Sequence, residues 1–215
     1  HHLSRGADRI DSSGYSSRMK LGVIEVFGLL SIVGNIATSF LADALHAPIF
    51  LDTIFTAAIT FYAGLVPGLI VAALHNPIMT FIRSVIYGTD LFYFGSLYAV
   101  CGMLIALSTW IFSRNKKDFF FSRTITVLYL LIIVFVSSFL SCFSASALDT
   151  CIRPLLNDSL RFFPIDIFSI PFQKLKFGMF LSYLLPRIPI TVLDRLICTF
   201  LGFALYRLVD RRTAC

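Results

Sequence analysis

Apolar runs recur along this chain with only brief polar interruptions. Six of them, near 21 to 42, 50 to 66, 68 to 86, 91 to 113, 124 to 147 and 187 to 209, read as membrane-spanning helices, because a span needs about 20 residues at about 1.5 Å each. The fold expected is all-α: a polytopic, single six-helix transmembrane domain over residues 21–215. The segment 1–20 is polar and opens with two histidines, and is expected to be a disordered or appended stretch outside that domain. The longest interval without a span, about 148–186, is rich in Phe and Pro and carries Arg153, Arg161, Lys174 and Lys176. It reads as an interfacial outer loop covering one membrane face.

Composition supports that reading. With 57% hydrophobic and 14% charged residues and a mean hydropathy of +0.84, the chain holds more apolar surface than a water-soluble domain of 215 residues can hide. The net charge of +6 does not point to nucleic acid, because the basic residues sit beside span ends and not on a separate binding surface. Arg18 and Lys20 precede the first span, Arg114, Lys116, Lys117 and Arg123 separate the fourth from the fifth, and Arg207, Arg211 and Arg212 close the sixth. The loop after the first span has no Lys or Arg, and the one after the third has little beyond Arg83. By the positive-inside rule both termini are expected to be cytoplasmic, in a multi-pass protein of the inner (cytoplasmic) membrane. Five cysteines are too scattered for a metal site; Cys142 and Cys151 either pair across the outer end of the fifth span or stay as inert thiols.

The polar residues kept inside the spans are the functional suspects. An ionisable group at mid-bilayer costs about 2.5–3.5 kcal/mol even on lenient insertion scales. Asn35, Asp52, Asn76, Asp194 and Arg195 all fall at or above the expected midplane, a distribution suited to a pocket open to the outside and sealed toward the cytoplasm. Each has a plainer reading. Asp52 and Arg195 can pair as a bundle brace, Asn35 and Asn76 can be interhelical hydrogen-bond glue, and His75 is more simply a packed histidine than a metal ligand. Tyr93, with Tyr87 and Tyr98, can stack on a flat ligand or belong to the interfacial belt. A stripe of small residues, Ser31, Gly34, Thr38 and Ala42, marks a face of the first span for close helix approach, inside the bundle or against a partner. Gly64-Leu65-Val66-Pro67-Gly68 turns the second span tightly into the third.

Pro48-Ile49-Phe50-Leu51-Asp52-Thr53-Ile54, the Gly64–Gly68 turn and Leu74-His75-Asn76-Pro77 together resemble the second and third helices of the substrate-binding S components of energy-coupling factor (ECF) vitamin transporters. Ile188-Pro189-Ile190-Thr191-Val192-Leu193-Asp194-Arg195-Leu196, running on to Tyr206-Arg207, is similar to their last helix. The likeness covers nearly the whole chain after about residue 20, although the Ala-x-x-x-Ala pattern that many members carry on the first helix does not occur near its inner end.

The resemblance implies a membrane subunit that captures a vitamin or related micronutrient from outside and docks on an ECF T component driven by ATPase subunits. On that view Asn35, Asp52, Asn76, Tyr93, Asp194 and Arg195 bind substrate, the 148–186 loop is a lid, and no cofactor or metal is required. The chain lacks a phosphate-binding Gly-rich loop, Gly-x-Ser-x-Gly and His-Glu-x-x-His, so it is expected not to be an enzyme. A ligand-sensing or scaffolding membrane module without transport is the alternative left open.

Overall fold

The computed structural model describes residues 4–46, 50–87, 96–152 and 179–213, and in these the chain is all-helical. The elements are α1 (Ser4–Ala44), α2 (Ile54–Ala63), α3 (Leu65–Tyr87), α4 (Ala99–Ser113), the single turn α5 (Lys116–Phe119), α6 (Arg123–Ile152) and α7 (Met179–Thr213). Four helical stretches are long and apolar enough to cross a membrane: Leu21–Ala44, Leu65–Ile86, Arg123–Cys151 and Phe180–Arg212. Their outward faces carry large apolar side chains such as Leu30, Val33, Phe81, Phe135, Phe139 and Leu201, which water would not tolerate and lipid accepts. The chain is a multi-pass membrane protein.

Two of the six expected spans are shorter than the apolar runs that announce them. The run 50–66 yields only the ten-residue α2, about 15 Å of helix against a hydrocarbon core of about 30 Å. The run 91–113 yields α4 from Ala99 onward; residues 88–95, Tyr93 among them, lie outside the described residues. α2 can be short because it is enclosed by protein. It packs against α1, α3, α4 and α7, and Ile54 and all residues from Thr56 to Phe61 are buried. Gly64, at φ +97°, ends it in a backbone region that side-chain-bearing residues avoid, and α3 starts at the next residue. Pro67 is accommodated in the first turn of α3, where its missing N–H removes no helical bond. The expected tight α2–α3 hairpin is thus present.

The ends of the long helices also differ from expectation. α1 continues back to Ser4, through the segment set apart at 1–20. α6 runs past 147 to Ile152, and α7 begins at Met179, eight residues ahead of 187, so Pro186 and Pro189 sit inside a helix. Proline is tolerated inside buried membrane helices because neighbouring groups re-satisfy the freed carbonyls; the Cys142 thiol lies 3.9 Å from the Arg187 carbonyl in that stretch. The interval read as an outer loop shrinks accordingly, and its remaining part, 153–178, lies outside the described residues. Cys142 and Cys151 are both unpaired thiols.

Lipid removes the hydrophobic drive for helices to associate, so close packing must hold the bundle. The small stripe of α1 serves this end inside the bundle: Ser31 and Ala42 are buried, and a Cβ on Gly34 would fall 2.6 Å from the Phe55 ring. Gly202 of α7 is less forgiving. A Cβ there would fall 2.7 Å from both the Ala57 Cβ and the Ile54 carbonyl oxygen, and a backbone carbonyl cannot rotate away. Gly202→Ala is therefore expected to destabilise the protein by about 1–3 kcal/mol through overpacking, read as a lower melting temperature in detergent.

At the end of the bundle where α2, α4 and α7 finish and α6 begins, an aromatic cluster closes the interior. Phe61, Phe119, Phe120, Tyr129, Phe203 and Tyr206 pack with ring centroids 5.0–6.3 Å apart. Lys116 of α5 is exposed as a residue, yet its ammonium donates to the Phe61 carbonyl at 3.0 Å. It also lies 5.0–5.8 Å from the ring centres of Phe61, Phe119 and Tyr206. A cation there meets the last carbonyls of α2, the negative end of that helix.

Partial burial holds the Lys116 pKa down, from 10.5 to about 8. Between about pH 8 and 10.5 the unfolded chain therefore binds more protons than the folded one, and this group adds stability as pH rises through that window. The melting temperature of the natural protein should rise relative to that of Lys116→Met between pH 8 and 10. A difference between the two that stays constant would show that the ammonium titrates normally.

Candidate functional site

At the opposite end lies a cavity of about 190 Å³. Its walls come from the C-terminal parts of α1, α3 and α6 and the N-terminal parts of α2, α4 and α7, with Phe50, Asp52 and Thr53 from the segment before α2. The helices thus alternate in direction, each presenting one end to the cavity. All three in-helix prolines are level with it: Pro77 follows His75 and Asn76, while Pro186 and Pro189 flank Arg187.

Two ion pairs stand in the wall. Arg187 of α7 donates to Asp149 of α6, and the hydroxyl of Tyr98, the residue just before α4, donates to the other oxygen of the same carboxylate. Asp149 is 1% and Arg187 7% exposed, so this pair is withdrawn from solvent. Arg83 of α3 bonds Asp43 of α1 at 2.9 Å in a more open position. Asp52 faces His75, with 3.9 Å between its Oδ2 and the imidazole Nε2. Three buried wall residues have polar atoms without a hydrogen-bond partner among the described residues: Ser39 Oγ, His75 Nδ1 and Arg187 Nε. Such atoms are rare in a finished interior, and here they border a space.

The residues picked out in the sequence divide between lining this space and holding its wall. Asp52, Asn76 and Asp194 line it. Asn35 does not: its side chain accepts from the Phe55 N–H at 3.0 Å and donates to Thr56 Oγ1 at 2.9 Å, capping the start of α2 from a neighbouring helix. Arg195 is fully buried and bonds Thr53, Ser137 and Thr199. It does not form the expected ion pair with Asp52, because those hydroxyls hold its guanidinium. Asp194 also has a bracing task. One of its oxygens accepts the backbone N–H groups of Phe50 and Leu51, at 3.2 and 2.8 Å, while the Leu51 carbonyl accepts from Thr38. Leu51, at φ +50°, is thereby held in a left-handed conformation that leucine disfavours. Tyr93 lies outside the described residues.

Tyr98 entered the sequence reading only as a belt or stacking residue, and Asp149 and Arg187 not at all. Asp149 continues the i, i+4 row Ser141, Ala145, Asp149 of α6, a helical periodicity that could have placed it on the inward face. No comparable signal marked Arg187, which lies between two prolines.

The class that fold and site define is an all-helical, multi-pass membrane protein with a polar, charge-bearing cavity set into one end of its bundle. No family model, curated protein or solved structure gives a significant match to this chain.

Proposed function

We propose that this chain is the membrane substrate-binding subunit of an ATP-driven importer of the ECF type. It takes a small vitamin-like molecule into the cavity and hands it on through a T component and ATPase subunits. The observation that carries the reading is the cavity itself, with three buried side chains in its wall, Ser39, His75 and Arg187, each holding a polar atom without a hydrogen-bond partner among the described residues. Lipid gives no reason to keep such groups; a ligand does.

Three of the four segments that resemble S components, around 50–54, 74–77 and 188–196, converge on this one cavity from separate elements, which supports the reading further. In the membrane the cavity end faces outward. The basic end, with Arg114, Lys116, Arg211 and Arg212, and both termini face the cytoplasm of the cell carrying it in its inner membrane. α4 and α2, the latter sheltered from lipid by its neighbours, complete six passes.

Native mass spectrometry of the detergent-purified protein, before and after incubation with a panel of water-soluble vitamins, tests this. A co-purified or captured small molecule is the expected result. A protein that stays empty with every compound, and whose melting temperature none of them moves, would overturn the reading.

A further inference from the structure

Among the described residues the charges around the cavity do not balance. Asp43 is neutralised by Arg83 and Asp149 by Arg187. That leaves Asp52 and Asp194 against a single cation behind them, Arg195, whose charge acts on both. Among the described residues one negative charge thus remains uncompensated in a low-dielectric setting, where an unpaired charge is costly. The two carboxylates are not equivalent. Asp194 is 3% exposed and occupied by two backbone N–H groups. The Asp52 carboxylate accepts from nothing beyond its own backbone N–H among the described residues, and its side chain is 30% exposed, on the cavity side.

From this we infer that the cavity recognises a small organic monocation, with its positive group against Asp52 and a hydrogen-bond acceptor elsewhere in the molecule meeting the vacant Arg187 Nε–H. The inference rests on the binding-subunit reading and narrows it. The aromatic rings of Phe50 and Tyr98 border the same space, and an aromatic face beside a carboxylate suits ammonium and aromatic cations. An anionic ligand would add a second unbalanced negative charge, while both arginines of the wall already have carboxylate partners. At about 190 Å³ the space lies below the roughly 300–1,000 Å³ of drug-sized sites, so the cation is compact.

Charge-matched probes decide the matter on the full-length protein in detergent. Thermal shift and titration calorimetry are run with thiamine, choline and pyridoxamine as cations, nicotinamide and riboflavin as neutral compounds, biotin and nicotinate as anions, and sodium chloride as an inorganic control. At least one organic cation is expected to bind, with no anion binding. Asp52→Asn should weaken that cation roughly 10- to 100-fold, the scale of a charged hydrogen bond, without lowering the melting temperature of the empty protein.

Where Asp52→Asn does not fold, the charge preference of the unaltered protein decides alone. A neutral compound or an anion that binds, and is lost on Asn76→Ala, would overturn the monocation while leaving the binding-subunit reading intact. Stabilisation by sodium chloride alone, or cation binding indifferent to Asp52→Asn, would equally overturn it. Binding of nothing in the panel, with no co-purified molecule, would overturn both.

Discussion

Arg187→Met is expected to destabilise the folded protein by about 3–5 kcal/mol, because it removes the cation paired with the buried Asp149 carboxylate. The partners meet inside the bundle between α6 and α7, with Asp149 1% exposed. The Tyr98 hydroxyl also donates to that carboxylate, and a hydroxyl cannot neutralise it. The companion change is Asp149→Asn. An amide oxygen still accepts from Tyr98 but carries no charge, so the double variant Arg187→Met with Asp149→Asn should recover most of the loss. Reversible unfolding in mixed micelles, run as a double-mutant cycle, measures this. Additive effects of the two changes would mean that the pair is not withdrawn from water as the structure has it.

That pair also shows what the sequence could not reveal. Hydropathy found the four long membrane helices because each is a continuous apolar run with polar ends. It misjudged α2, since a run such as 50–66 does not disclose that Leu51 turns in a left-handed conformation and that Gly64 stops the helix at ten residues. It also began the last helix at the prolines. In water Pro186 and Pro189 would mark a start, but inside a bundle the helix carries them within it, and Arg187 came inward unannounced. Polar residues within apolar runs were recognised as important, and Asp52, Asn76 and Asp194 do reach the cavity. Asn35 and Arg195 carry the same signal and do a different job, holding α2 and its lead-in from behind. A one-dimensional pattern shows that a group is buried; which side of the wall it faces depends on helix rotation, which several neighbours set together.

Asp194→Ala is expected to cost about 3–5 kcal/mol as well, by a different route. The substitution leaves the N–H groups of Phe50 and Leu51 without their acceptor, each worth about 1–3 kcal/mol when stranded in a dry interior. It also removes a neighbouring countercharge from Arg195, which is fully buried. Asp194→Asn keeps an oxygen that can accept both N–H groups and loses only the charge, so its cost should be clearly smaller. The two variants thus separate the hydrogen-bonding role from the electrostatic one by their melting temperatures in detergent. The consequence reaches the site, because Leu51 is held on one side by Asp194 and on the other by Thr38, and Asp52 is the next residue. Slack at Leu51 moves the carboxylate proposed to receive the ligand. Asp194→Ala should therefore weaken ligand capture even at temperatures where it remains folded. Equal melting temperatures for Asp194→Ala and Asp194→Asn would show that the backbone clamp is dispensable and that charge alone gives Asp194 its place.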